Sequence, residues 1–296
     1  MNIFFLTIKQ KCFKRNLLSV IFILFGCANI FSQDANILSV TDKKKYPLYS
    51  SYCLEYSEIR AYKSSFLGDN MLSILKINPE QFDFRLICAS QNDLIKSANE
   101  WIDTLNLNII FNAGMYNLKD NISHQFYLKN FEHVNNSCLS SNANGIIAFN
   151  PSVDSMLKLQ LFDLSMDDWA EINKSYQSIV QGQRMIDCNG NPVFWNNRVQ
   201  FCSMMVLAQD KSNNIYLIFS RSPFTQNQMI ENLLNLPFQL INAIYLEGGS
   251  RANFVISTKE FNIKKVGSFV TDYNPNDRNQ TFFPFPNFIG VTQIGL

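Results

Sequence analysis

Short apolar runs that end in a polar residue and a glycine recur along this chain, and they limit the folds that it can adopt. The run Ile241 to Leu246 is rich in Ile and Tyr, which is typical of a buried β-strand. It leads into Glu247, Gly248 and Gly249. Because glycine has no Cβ, the two glycines let the backbone turn sharply and approach a ligand closely. The pattern indicates either a small polar site at a strand end or a plain turn with a solvated Glu247.

The run Leu107 to Phe111 repeats this arrangement and leads into Asn112 and Gly114. The Asn112 amide offers two donors and one acceptor to a ligand, or it caps its own turn. Gln181 and Arg184 are polar residues on a further predicted strand. The Arg184 guanidinium suits a phosphate or a carboxylate, although a surface salt bridge is the alternative.

The composition favours a folded, β-rich protein and excludes one class of partner. The 296 residues are 47% hydrophobic and 17% charged, so the chain can form a sizeable core. The 26 Phe and 11 Tyr favour strands. A formal net charge of +1 argues against nucleic-acid binding, which needs a basic face.

The order of elements predicts an α+β fold with a largely antiparallel, twisted β-sheet and a few helices. Ser90 and Asp93 are expected to cap a helix over residues 91–104. Thr225 and Gln228 form a capping box before an amphipathic helix. The segment 221–223, with its proline, is expected to break the strand that precedes this helix.

The N-terminal residues predict export. Basic residues precede the apolar run Leu17 to Phe25, which is typical of a secretory signal and too short for a membrane span. Residues 1–33 are therefore interpreted as a signal peptide, residues 34–74 as a leader with the first strands, and residues 75–296 as the main domain. Cleavage near Gln33 would release a soluble protein, whereas lipidation of Cys27 would make a lipoprotein. The predicted location is the periplasm, the extracellular space or the outer membrane.

Several mechanisms lack their sequence signatures. The cysteines outside the signal region have no CxxC spacing, which argues against a zinc cage or a thioredoxin-type motif. His124 and His133, the two histidines, lie in no recognisable nucleophile motif. No P-loop, GxGxxG, HExxH or EF-hand pattern is present.

Five motifs, in order and spacing, resemble the phosphodiester glycosidase family over residues 75–295. The family includes the enzyme that removes N-acetylglucosamine from mannose 6-phosphate diesters. The motifs are Asn112-Ala113-Gly114-Met115-Tyr116, Gln181-Gly182-Gln183-Arg184-Met185-Ile186-Asp187, Arg221-Ser222-Pro223-Phe224, Tyr245-Leu246-Glu247-Gly248-Gly249 and Pro286-Asn287-Phe288-Ile289-Gly290-Val291.

The resemblance implies an α+β domain that hydrolyses sugar-1-phosphodiesters. The residues that match the family's motifs are Asn112, Gly114, Gln181, Glu247, Gly248, Gly249 and Asn287. Two positions depart from the pattern. Arg251 stands where the subgroup usually has an acid, and Phe126 stands where a glycine is expected. Both changes bear on catalysis and substrate more than on the fold.

Hydrolysis of such a diester needs a group that handles a proton, donors for the phosphate and contacts to sugar hydroxyls. Glu247 is the candidate general acid or base, provided that burial raises its pKa. Glycosidases usually pair two carboxylates, and Asp187 is the candidate partner. Arg184 and Arg221 are the candidates for the phosphate charge.

Asn112 and Gln181 are the candidates for contacts with hydroxyls or an oxyanion. No cofactor is expected, although Glu247 could hold a divalent cation. The sequence leaves two functions open: an exported phosphodiester glycosidase, or a non-catalytic protein that binds glycans or sugar phosphates on the same scaffold.

Overall fold

The computed structural model describes residues 49–50, 54–196, 200–259, 261–270 and 275–294. The predicted signal peptide and residues 34–48 of the predicted leader lie outside these ranges. Among the described residues, no helix is long and apolar enough to span a membrane.

Sixteen strands of the described residues form two sheets. The strands are β1 (Tyr49–Ser50), β2 (Leu54–Arg60), β3 (Met71–Ile77), β4 (Phe82–Cys88), β5 (Ile109–Asn112), β6 (Leu128–Asn130), β7 (His133–Asn136), β8 (Gly145–Pro151), β9 (Leu159–Asp163), β10 (Tyr176–Ile186), β11 (Cys202–Asp210), β12 (Ile215–Phe224), β13 (Leu240–Gly248), β14 (Asn253–Ser257), β15 (Asn262–Val266) and β16 (Asn287–Gln293). Four helices accompany them: α1 (Ala89–Asn92), α2 (Ala98–Thr104), α3 (Trp169–Ser175) and α4 (Gln226–Leu234).

The large sheet runs in the order β1-β2-β3-β12-β11-β13-β10-β6-β7, and β8 and β9 attach to it beside β10. The small sheet runs β15-β14-β5-β16-β4. Every pairing between these strands is antiparallel. The predicted α+β fold with antiparallel strands is confirmed. Strand β3 spans residue 75, where the main domain was predicted to begin, and it pairs within the large sheet.

The main core lies between the two sheets. It combines residues of the large sheet, such as Phe219 and Ile244, with residues of the small sheet, such as Phe111 and Phe254. The rings of Phe219 and Phe254 stack with centroids 6.0 Å apart. Burial of each such side chain contributes about 2 kcal/mol, so the contact between the sheets is the main source of stability.

Helices cover the outer faces of both sheets. Helix α4 packs Met229 and Ile230 on the large sheet, and α2 packs Trp101 and Ile102 on the small sheet. The molecule is thus layered in the order helix, sheet, sheet, helix. The strands at the centre of each sheet are buried on both faces, which explains their nearly continuous apolar sequences.

The predicted helix over residues 91–104 is wrong in its first half. Helix α1 ends at Asp93, which adopts a left-handed conformation with φ 50°. Helix α2 then begins after Ser97, whose side chain forms a capping box with Glu100. Two reciprocal hydrogen bonds at Ser97 stabilise a helix start there, so Ser90 does not cap a long helix.

The predicted strand break at residues 221–223 is also wrong, since β12 continues to Phe224. Pairing of β12 with β3 ends at Ser220, so the missing N–H of Pro223 removes no bond on that side. On the other side a bulge near Cys202 interrupts the pairing with β11. Proline is tolerated at such edges and bulges.

The predicted capping box of α4 is confirmed and has a measurable energetic role. The Thr225 hydroxyl accepts from the Gln228 N–H at 3.2 Å, and the Gln228 side chain accepts from the Thr225 N–H at 3.0 Å. Thr225→Ala removes the first bond, so urea denaturation should show a loss of about 1 kcal/mol in unfolding free energy. Thr104→Ala, at the exposed last residue of α2, is the control and should change it by less than about 0.5 kcal/mol. Equal losses in the two variants would contradict the cap's role.

Candidate active site at the junction of the two sheets

Glu247 is the second-last residue of β13, and it lies opposite Met205 on β11. Its side chain is partly buried, and its Oε1 accepts from the Gly248 N–H at 2.9 Å. Burial raises the pKa of Glu247 to about 8, although the bond from Gly248 opposes this shift. The carboxyl group therefore carries a proton at neutral pH and can donate it.

The residue after Glu247 is tightly packed. Gly248 lies against the Tyr245 hydroxyl, with which a Cβ at this position would collide, and close to the Cys202 sulfur. Burial raises the pKa of the Cys202 thiol to about 12, which keeps it uncharged. Burial is also the main cause of the raised pKa of Glu247, because it disfavours the charged carboxylate.

The chain turns from one sheet to the other directly after Glu247. Gly249 has φ +65°, a conformation that glycine adopts without strain. It begins a 3-10 turn, Gly249–Arg251, that leads from β13 of the large sheet into β14 of the small sheet. The candidate acid thus lies at the junction of the two sheets.

Asn112 ties the end of β5 to this turn. Its side-chain N–H donates to the Arg251 carbonyl at 3.1 Å, and its carbonyl accepts from the Asn253 N–H at 2.7 Å. The side chain is fully buried. The structure therefore brings Asn112 next to the turn that follows Glu247, with its amide engaged in holding that turn.

Gly114 and Asn287 belong to the same region. The backbone carbonyl of Asn287, the first residue of β16, accepts from the Ala113 N–H at 3.0 Å. The Asn287 side chain donates to the Ile122 carbonyl at 3.3 Å. Gly114 has φ +116°, where other residues are strained. Asn112, Gly114 and Asn287 therefore lie together around one turn.

His124 is a site residue that the sequence did not single out. It is fully buried, its Nε2 lies against Gly114 where a Cβ would be, and its Nδ1 lies 2.9 Å from the Phe126 carbonyl. Burial lowers the pKa of His124 to about 4, so the ring is neutral at pH 7. Its contact with Gly114 explains why position 114 needs a glycine. No spacing in the sequence indicates this contact.

One buried polar atom beside this turn, Asn287 Oδ1, has no hydrogen-bond partner among the described residues. Buried polar atoms in folded proteins are normally paired with protein or water, and exceptions often mark functional sites. The turn at Gly114 therefore includes a buried acceptor, Asn287 Oδ1, that can form a further hydrogen bond.

Gln181 is fully buried and uses all of its hydrogen-bonding groups within the protein. Its carbonyl accepts from the backbone N–H groups of Tyr127 and Ser140 at 3.2 and 3.0 Å. Its amide donates to the carbonyls of Ser140 and Ala143 at 2.8 and 2.6 Å. Gln181 thus fixes the loop around Ser140, which forms part of a pocket wall.

That pocket has a volume of about 560 Å³ and opens beside β10. Its wall includes Phe126, Asn142, Gln183, Arg184 and Trp195. Gln183 lies opposite Tyr245 in the sheet, and Trp195 packs on the Tyr245 ring with centroids 5.5 Å apart. The pocket therefore adjoins the strand of Glu247, although Glu247 does not line it. Phe126, where the family pattern has glycine, occupies part of its wall.

Arg184 and Arg221 are both engaged in structural ion pairs. Arg184 pairs with the buried Asp163. Burial would raise the pKa of Asp163, but bonds from Ser165 and Arg184 outweigh it and hold this pKa below its usual value. Arg221 pairs with Asp277 and donates to backbone carbonyls of residues 266, 277 and 279.

Asp187 lies apart from Glu247. Ile186 pairs with Ala243, four residues before Glu247, and Asp187 lies one residue further away, so the backbones of Asp187 and Glu247 are more than about 13 Å apart along the strand. The Asp187 side chain accepts from the N–H groups of Asn189 and Asn191 at 2.9 and 2.7 Å. The structure does not bring the two predicted carboxylates together.

The predicted option of a divalent cation on Glu247 stays a prediction. Within the described ranges, no group of three or more His, Cys, Asp or Glu side chains is arranged to hold a metal ion.

The raised pKa of Glu247 predicts a pH-dependent stability. The folded protein keeps this proton up to about pH 8, whereas the unfolded chain releases it near the usual pKa of 4.5. The contribution of Glu247 to stability is therefore full below pH 4.5 and falls as the pH rises toward 8, by up to about 1.4 kcal/mol per pH unit. Glu247→Gln abolishes this titration and keeps an oxygen for Gly248.

Urea denaturation of both proteins at several pH values between 4 and 8 measures this difference. The variant should gain stability relative to the wild type as the pH rises. A difference that stays constant with pH would contradict burial of a protonated carboxyl group.

Comparisons with known proteins identify the family of this chain. A family model for phosphodiester glycosidases matches residues 106–292, which include the turns at Gly114 and Gly249 and the start of β16. No curated protein matches the chain.

Two solved structures share the fold. A hypothetical protein from Synechocystis has a TM-score of 0.57 and 11% identity, with 83% of this chain and 63% of that chain covered. This chain thus spans less than two thirds of that protein. The catalytic domain of the zebrafish N-acetylglucosamine-1-phosphodiester alpha-N-acetylglucosaminidase, auto-inhibited by its pro-peptide, has a TM-score of 0.56 and 11% identity, with 84% and 88% covered. Since the family model covers well over half of the 296 residues, the chain belongs to the phosphodiester glycosidase family.

Proposed function

We propose that this chain is an exported hydrolase of sugar-1-phosphodiester linkages on glycans or cell-envelope polymers, with Glu247 as the proton donor. Membership of the family indicates glycosidase-type hydrolysis and a carbohydrate substrate. The zebrafish structure is named for an enzyme that acts on an N-acetylglucosamine-1-phosphodiester, which supports the linkage. The observation that carries the proposal is a partly buried carboxyl group at the junction of the two sheets, whose pKa burial raises to about 8.

The reaction assigns a simple role to that proton. The bond between the sugar C1 and the phosphate oxygen breaks, and its electron pair leaves with the phosphate. Glu247 gives its proton to the departing oxygen, which avoids a doubly charged leaving group in a partly dehydrated site. The oxygen of a water molecule bonds to C1, and a proton from that water restores Glu247.

The buried amides act on this site through the backbone. Asn112 holds the turn after Glu247, and Gln181 holds the loop that walls the pocket. His124 and Asn287 support the turn at Gly114. A rigid backbone around the carboxyl keeps it aligned with the leaving oxygen, because small displacements of a catalytic group are costly.

Glu247→Gln separates the enzyme from the alternative, a glycan-binding protein without turnover. It keeps the shape of the protonated side chain but cannot donate the proton. With a panel of chromogenic sugar-1-phosphodiesters at pH 7, we expect kcat/KM to fall by about 100-fold or more. The control is Glu171→Gln on the exposed face of α3, which should retain wild-type turnover. Wild-type turnover in Glu247→Gln would exclude the proposed role, and ligand binding without turnover in either protein would favour the alternative.

The pH profile of the wild-type enzyme provides an independent check. An acid that must be protonated loses function as it ionises, so kcat/KM should decrease above about pH 8. Measurement of kcat/KM between pH 5 and 10 should place a descending limb near that value. A profile that decreases below pH 6 instead would indicate that Glu247 acts as a carboxylate.

A further inference from the structure

We propose that Arg251 binds the phosphate group of the substrate, so that this chain recognises its ligands by an anion at the turn that follows Glu247. This inference rests on the proposed function and names the residue that meets the phosphate. It starts from the charges around the site, because a phosphodiester carries a negative charge that a binding site must compensate.

The two arginines that the sequence favoured for this role are already neutralised. Arg184 is paired with Asp163, and Arg221 is paired with Asp277. If either turned toward a ligand, it would leave a carboxylate without its partner, and for the fully buried Asp163 that loss would be costly.

Arg251 differs from both. Its side chain is exposed, and it takes part in none of the ion pairs found among the described residues. It is the last residue of the 3-10 turn and lies four positions after Glu247. It is thus a cation on the turn that follows the candidate acid, and it can receive an anion without breaking an ion pair of the fold.

Neighbouring residues hold Arg251 in place. Its backbone carbonyl accepts two hydrogen bonds, one from the side-chain amide of Asn112 and one from the side-chain amide of Asn253. Its guanidinium lies over the Tyr116 ring, 5.2 Å from the centroid. Tyr116 is itself buried and packs edge-on against Phe285 at 5.0 Å. Stacking on a fixed aromatic ring limits the motion of the guanidinium and leaves its N–H edge available for phosphate oxygens.

Tyr116 links this cation to two of the strand-end turns. Tyr116 follows the turn at Gly114, and Arg251 follows the turn at Gly249. The stacked pair therefore bridges the two strand-end motifs. A phosphate bound by Arg251 would lie on the turn that directly follows Glu247 in the chain.

Paired ligands test the role of the phosphate directly. Glucose 1-phosphate and N-acetylglucosamine 1-phosphate are each compared with the corresponding methyl glycoside, which lacks the phosphate. Binding is measured by calorimetry and by the shift of the melting temperature at low salt. The wild type should bind at least one sugar phosphate about tenfold or more tightly than its methyl glycoside.

Arg251→Gln should abolish this preference, whereas Arg251→Lys, which keeps the charge, should retain part of it. The control is Arg60→Gln, an exposed arginine on β2, which is separated from β13 by three strands of the large sheet and should behave as the wild type. Circular dichroism checks that the exposed substitutions leave the fold intact.

Two results would overturn the proposal. One is a wild type that binds the sugar phosphates no better than the methyl glycosides. The other is an Arg251→Gln variant that retains the full preference. Because sugar 1-phosphates are ligands without a diester bond, these outcomes do not depend on turnover, and the turnover of Glu247→Gln tests the proposed function separately.

Discussion

The site depends on the removal of one carboxyl group from water at the end of β13. A carboxylate in such a place needs a cation or several donors, and Glu247 has one backbone N–H from Gly248. Beside it, Gly248 lies against the Tyr245 hydroxyl and close to the Cys202 thiol, whose raised pKa keeps it uncharged. Burial at the end of β13 raises the pKa of Glu247 and so favours its protonated form. The fold can maintain this environment because the main core packs on one side of the junction between the sheets and α4 packs on the other.

Amide side chains hold this junction together, and their chemistry suits the task. Asn112 and Gln181 each supply donors and an acceptor without a charge, so they can be fully buried once all their groups are paired. Each cross-links two segments that are distant in sequence: Asn112 joins β5 to the turn at Arg251, and Gln181 joins β10 to the loop around Ser140. A charged residue in either place would carry a large desolvation cost, and an apolar one would leave backbone groups unpaired.

The sequence was sufficient to predict the antiparallel α+β fold and most strands, since both follow from local apolar patterns and glycine positions. It could not predict the start of α2, because Ser90 and Ser97 can both cap a helix. The choice depends on tertiary structure, since a β-bridge to Phe285 holds Lys96, just before Ser97, in an extended conformation. The role of His124 was hidden for a similar reason. Its partner Gly114 is ten residues away, and the contact exists only after the intervening loop folds back.

Charge pairing was the least predictable property of the site. Whether an arginine is available to a ligand depends on the carboxylates that tertiary structure places beside it, and these lie 21 residues away for Arg184 and 56 residues away for Arg221. Arg251 looked unfavourable in the sequence because it replaces an acid of the family pattern. In the structure its position gains a different meaning, because its guanidinium is stacked on Tyr116 at the turn that follows Glu247. This fixed positive charge is the one that we propose for the phosphate, so the residue that departs from the family pattern would decide which ligands the chain prefers.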